Sequence, residues 1–134
     1  MIYFDTDVPI NYLIEQDKEK NAQAVGLYNH ASEKGEFFCS LLCLQEAAFV
    51  LSRLNVAGNI IEEIVTELLM VKPVNYSPQE YARACSLARK VGFQSINDCL
   101  HTALAETYCT ELYTYNKSDF KKIKMYTDLK ITIL

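Results

Sequence analysis

The sequence predicts an α/β fold with a central, mostly parallel sheet of short strands, and three observations carry that expectation. Short β-favouring runs recur along the chain as "IYF", "FFC", "LYTY" and "KITIL". Helical signatures fill the intervals between them. Parallel neighbours need a crossover long enough to hold a helix, so strands alternating with helices are the pattern that builds such a sheet. The 134 residues, 50% of them hydrophobic, suffice for one buried core. One domain over residues 1–134 is expected.

Ile2, Tyr3 and Phe4 form the first run, which Asp5 ends. In Asp7-Val8-Pro9 an N-cap acid precedes a first-turn proline, and Ile10, Leu13 and Ile14 follow at helical spacing. A polar helix is expected from about Lys18 to Lys34, with Ala22, Val25 and Tyr28 inward and Gly35 as its stop. Phe37 to Cys39 make the second strand. Ser40 then acts as a turn or cap residue before "LLCLQEAAFVLSRL", a helix with Leu44, Ala47, Ala48 and Leu51 on one side.

Asn55 to Gly58 break the chain, and Asn59 with Glu62 resembles a capping box for a helix striped with Ile60, Ile61, Ile64, Val65, Leu68 and Leu69. These two helices form an αα-hairpin at about residues 42–71. Val71 to Val74 are a short strand or a connector. In "SPQEYARACSLARKVG" Ser77 caps, Pro78 opens the helix, Glu80 completes the box and Gly92 stops it. Ser95 with Asp98 starts another helix, running to about Cys109. "LYTY" is then a strand ended by Asn116, and "KITIL" closes the chain.

No apolar run approaches the roughly 20 residues that cross a bilayer. Asp5 and Asp7 stand where a secretion signal would begin, so a cytosolic protein is expected. The five cysteines are odd in number and include no C-x-x-C pair, which leaves buried free thiols as the expectation. A net charge of -4 argues against nucleic-acid binding by overall charge. Lys117, Lys121, Lys122 and Lys124 nevertheless crowd into one segment. They are either a solvated face or a local patch for RNA phosphates.

In an open parallel sheet, functional groups gather at the carboxyl ends of the strands. Asp5 lies at one such end, Glu46 in the helix after a second, and Asn116 and Asp119 beyond a third; Asp98 opens a helix that can point at the same edge. Converging carboxylates repel unless a cation neutralises them, and hard oxygen ligands select Mg²⁺ or Mn²⁺. Such a site suits phosphodiester hydrolysis.

Four stretches resemble, in order, the motifs of PIN domains, particularly the toxin ribonucleases of the VapC type. "YFDTDVPINYLI" is similar to the first, an aspartate followed by Thr and then Asn, Ser or Asp before an apolar helix. "CSLLCLQEAAFVL" resembles the second, a serine six residues before a glutamate. "SINDCLHTALAE" resembles the third, and "LYTYNKSDFKKI" the fourth, a strand ending in Thr-x-Asn or Thr-x-Asp before Asp-Phe. The resemblance implies a PIN-like three-layer α/β/α sandwich and a metal-dependent ribonuclease. Asp5, Glu46 and Asp98 would be its metal-site carboxylates, with Asp119 or Asn116 as the fourth member, Thr6 and Ser40 as hydrogen-bonding supports and Asp7 as a nearby acid. Asn116 stands where some relatives carry an acid. The same resemblance implies an RNA substrate, contacted by Lys117, Lys121 and Lys122, a homodimer and a cognate antitoxin protein docking at the αα-hairpin.

Blander readings stand beside these. Asp7 reads first as an N-cap, and Glu46 locally as a helix acid among inward neighbours. His101, three residues after Asp98, reads as a surface or satisfied structural histidine, with a supporting or substrate-contacting role as the other option. A haloacid-dehalogenase reading of "DTD" leaves Glu46 without a purpose and meets Pro9 in its fifth place. A non-catalytic PIN-like binding or scaffold module, and a nuclease acting on DNA, remain as alternatives.

Overall fold

The computed structural model describes residues 1–134. Strands β1 (Ile2–Phe4), β2 (Phe37–Phe38), β3 (Glu111–Thr114) and β4 (Lys130–Ile133) form one sheet in the order β2-β1-β3-β4, every pair parallel. Seven helices complete the chain: α1 (Asp7–Leu13), α2 (Lys18–Glu33), α3 (Leu41–Arg53), α4 (Gly58–Leu69), α5 (Pro78–Val91), α6 (Ile96–Tyr108) and α7 (Lys117–Ile123).

Side-chain alternation along the strands makes the three layers. Tyr3, Leu112 and Ile131 point to one face and pack with Leu87, Leu104 and Phe120 of α5, α6 and α7. Ile2, Phe4 and Tyr113 point to the other and pack with Val8 of α1 and Ala24 and Ala31 of α2. A third cluster of Ile10, Ala47 and Leu51 joins α1 to α3, and Ile61 and Ile64 of α4 lean on it.

Capping decides where several helices begin. The Ser77–Glu80 box forms with Pro78 in the first turn, and Gly92 ends α5 at φ 113°, a conformation costly for any residue with a Cβ. Gly35 likewise follows α2 at φ 64°. Ser40 caps α3 by accepting from Cys43 N–H at 3.1 Å.

Four local expectations need correction. Thr6, not Asp7, holds the N-cap place of α1, because the Asp7 carboxylate turns to the end of β3. Helix α4 starts two residues early, after Ala57 and with no side-chain cap, so no Asn59–Glu62 box forms. Ser95 does not cap α6: Phe93–Ser95 make a 3₁₀ turn, and the Ser95 hydroxyl donates to Asp119. The inward stripe of α2 runs through Ala24, Leu27 and Ala31, with Tyr28 inward as expected and its ring against Tyr12 and Phe37, while Ala22 is exposed. Val74 pairs through a single parallel bridge with Ser40, a connector rather than a strand.

Candidate metal centre

Because β1, β2 and β3 are parallel, their carboxyl ends open on one edge of the sheet, and the acids come to that edge. Asp5 leaves β1 and is buried there. Its Oδ1 accepts Thr6 N–H at 2.9 Å, and its Oδ2 accepts the hydroxyl of buried Thr114, the last residue of β3, at 2.8 Å. Both oxygens are thereby fixed in orientation.

Glu46 comes from the second turn of α3. Its Oε2 accepts Thr6 Oγ–H at 2.7 Å and His101 Nε2–H at 2.8 Å. Burial disfavours its charge, but the hydrogen bond and the positive charge of His101, with Thr6, outweigh burial and hold the carboxyl below its usual range. His101 itself has no exposed surface, so the surface reading is wrong. Burial opposes its charged form; the bond to Glu46 and the field of Asp5 prevail and raise its pKa. One donor atom each from Asp5, Glu46 and His101 lie within 4.8 Å of one another.

Asp98 enters from the first turn of α6, where the helix N-terminus favours an anion. Its one side-chain hydrogen bond is a long one, 3.4 Å from Asn116 Nδ2. Burial, followed by the charges of Asp5 and Asp119, pushes its carboxyl up to about 7. Asp7 behaves similarly: Oδ2 accepts Tyr115 N–H at 3.0 Å, while Oδ1 is buried without a partner. Burial and then Asp5 push its carboxyl to about 7 as well. Asp5, Asp7, Glu46, Asp98 and Asn116 all line one cleft of about 360 Å³.

Asp119 and Asn116 differ in what they offer. Asp119 accepts Asn116 Nδ2–H at 2.9 Å and Ser95 Oγ–H at 2.8 Å, and these bonds hold its carboxyl below the usual range. Asn116 caps α7 with its oxygen, accepting Asp119 N–H at 3.3 Å, and turns its nitrogen to both Asp98 and Asp119. The amide thus ties one acid to the other. Lys117, Lys121 and Lys122 project from α7, exposed, on the helix that Asn116 caps.

Thr114, Tyr3, Ser95 and the buried placement of His101 were not assigned from the sequence. A signal existed for two of them: Thr114 is the threonine of Thr-x-Asn, and His101 sits one helical turn after Asp98. Residues 2–125 of the chain match the family model described as PIN domain. No curated protein matches the chain.

Proposed function

The chain belongs to the PIN domain family, whose members are generally metal-dependent nucleases, and we propose that it is an endoribonuclease hydrolysing RNA phosphodiester bonds. We place it among toxins of the VapC type in a type II toxin–antitoxin pair. The observation that carries the reading is the convergence of Asp5, Glu46 and Asp98 on one cleft, with no lysine or arginine paired to any of them.

The donor set fits a hard divalent cation: three carboxylates from three elements, and an unsatisfied buried oxygen on Asp7 beside them. Asp5, Glu46 and Asp98 would hold Mg²⁺ or Mn²⁺, with Asn116 or Asp119 completing the site. When bound, the cation supplies a water of lowered pKa and charge stabilisation for the phosphate.

The protein's own groups prepare that chemistry. Thr6 and Thr114 fix the oxygens of Asp5, and Ser40 fixes the start of the helix that delivers Glu46. Asp119 acts on the cleft through Asn116, whose amide it orients. Lys117, Lys121 and Lys122 neutralise phosphates of the RNA that crosses the cleft.

Exposed Phe49, Ile60, Leu69 and Met70 on or beside the paired helices α3 and α4 support a homodimer and a surface for an antitoxin segment. Ile61 and Leu68 face inward instead, one packed on the Ile10 cluster and the other lining an apolar cavity. Ile60→Glu is therefore the cleaner probe of oligomerisation, read by mass in solution. An unchanged mass removes this surface from the dimer.

Asn116, an amide where some relatives carry an acid, favours one competing reading: a binding module that has lost catalysis. Thermal unfolding of the wild type, Asp5→Asn and Asp98→Asn, with and without millimolar Mn²⁺, separates the two. A cation that binds only the folded protein raises Tm. The nuclease reading expects the rise in the wild type alone, together with Mn²⁺-dependent cleavage of an RNA pool. A wild type that Mn²⁺ stabilises but that cleaves no RNA leaves the binding module standing; one indifferent to Mn²⁺ and Mg²⁺ ends the metal-centre reading.

A further inference from the structure

A chain of hydrogen bonds runs beneath the acidic cleft, and donors and acceptors alone fix the direction at its two ends. Cys43 N–H can only donate, so Ser40 Oγ accepts from it at 3.1 Å. Ser40 Oγ lies 2.8 Å from Tyr3 Oη, which in turn lies 2.6 Å from His101 Nδ1. On the far side of the ring, Nε2 stands 2.8 Å from Glu46 Oε2. An ionised carboxylate only accepts, so Nε2 must carry the proton. Ser40, Tyr3 and His101 are each at most 1% exposed, and no solvent competes for these bonds.

We propose that His101 is a positioning residue for the cleft: held at Nδ1 by Tyr3, it presents Nε2–H to Glu46 and, with Thr6, occupies Glu46 Oε2, leaving Oε1 as the oxygen that Glu46 offers to a cation. The inference rests on the reading of the cleft as a cation site. The hydrogen bonds to Glu46 from Thr6 at 2.7 Å and from His101 at 2.8 Å fall on the same oxygen, Oε2, and the Asn97 side chain adds to the field that keeps the carboxyl charged. Asp5 Oδ1 is 3.6 Å from the same Nε2, beyond hydrogen-bond distance but close enough for the ring to hold two acids in one field. The arrangement makes Glu46 a single-oxygen ligand of fixed aim, and it transmits the capping geometry of α3 through Tyr3 to the acids. Outer partners of this kind orient a ligand without touching the metal.

The test has two parts. Nitrogen-15 NMR of the metal-free wild type reads which ring nitrogen of His101 carries a proton. A proton on Nε2 is expected, and a bare Nε2 overturns the proposal. Saturation with Mg²⁺ should leave that Nε2 proton in place; its loss means that the ring itself ligates the metal and is no positioning group.

Calorimetric titration with Mn²⁺ then compares His101→Gln with His101→Leu. Glutamine retains an N–H near the position of Nε2 and should bind within a few-fold of wild type, whereas leucine should weaken binding about 10–100-fold. Equal affinities for the two variants count against the arrangement. Should the wild type bind no Mn²⁺ at all, the metal-centre reading falls by itself, while the position of the Nε2 proton still decides the fate of the hydrogen-bond chain.

Discussion

Helix α6 carries one acid near each end, eight residues or about 12 Å apart along its axis. Glu106 is met by two guanidinium bonds from Arg83, each 2.8 Å, and by the Thr127 hydroxyl at 2.6 Å. Burial raises its pKa less than these bonds lower it, and it stays below the usual range. Asp98 receives one amide contact at 3.4 Å, faces Asp5 and Asp119, and rises to about 7. The same residue class on the same helix is thus satisfied at one end and left wanting at the other. A cavity alone would point the wrong way, since the depression beside Arg83 and Glu106 is larger, about 530 Å³ against 360 Å³. What marks the end proposed as functional is charge that the protein does not neutralise from its own side chains.

The largest expected effect comes from exchanging charge for amide at each end. Asp98→Asn should lower metal-dependent RNA cleavage by more than about 100-fold, beyond the loss expected from an outer partner. The same change should raise the metal-free Tm, because it removes a repelled, half-buried carboxylate. Glu106→Gln should do the opposite, leaving cleavage near wild type while costing about 1–2 kcal/mol, between exposed and buried ion pairs. For a chain of this length that is a Tm lower by roughly 3–8 °C. Two variants that both lose stability would erase the distinction between the two ends.

Changing pH sharpens the same contrast. A carboxyl whose pKa is raised on folding holds a proton that the unfolded chain has released, so it costs stability as pH climbs. For Asp98 and Asp7 the window runs from the usual carboxylate value up to about 7. His101, also raised, loses its contribution in the same direction as pH passes through its folded value. Glu106 and Asp119 are lowered, and their contribution disappears only when pH falls below the ordinary carboxylate range. The metal-free protein should therefore lose about 1 kcal/mol or more between pH 5.5 and pH 8, and Asp98→Asn should flatten that slope. A wild-type Tm that rises over this interval would contradict the assignment of strain to the acidic end.

The features that local physics dictates were the legible ones. Asp5 after an apolar run, the Ser77-Pro78-Glu80 helix start and the Ser40 cap each depend on neighbours within a few residues. What could not be read depends on distant partners. His101 meets Tyr3 from 98 residues away, and Asp7 abandons its capping place for Tyr115, 108 residues on. Ser95 likewise answers to Asp119 rather than to its own helix. The apolar stripe of α4 was visible, but not that it would leave the helix without one fully buried residue.

An intermediate effect is expected at Asn116, the joint between Asp98 and Asp119. Asn116→Asp adds a carboxylate beside two others and removes the amide that ties them. Mn²⁺ affinity should rise about 10-fold while the metal-free Tm falls, the reverse of Asp98→Asn on both counts. An affinity that drops instead would mean that the amide's grip on Asp98 matters more than the added charge.

The smallest effect concerns the basic residues, where the contrast between the two ends reappears. Arg83 is committed to Glu106, but no ion pair within 4.0 Å joins Lys117, Lys121 or Lys122 to an acid. On the proposed reading, these unpaired lysines on the helix capped by Asn116 would release counterions from RNA. For single strands each neutralised phosphate contributes about 0.7 to the slope of log affinity against log salt, so Lys121→Ala with Lys122→Ala should flatten that slope by about 1.4. Arg83→Ala should leave it unchanged, because that guanidinium already has its counter-charge. Were the Arg83 variant to flatten the slope and the lysine pair not, RNA would lie against the far end of α6, and the cleft would lose its claim to the substrate.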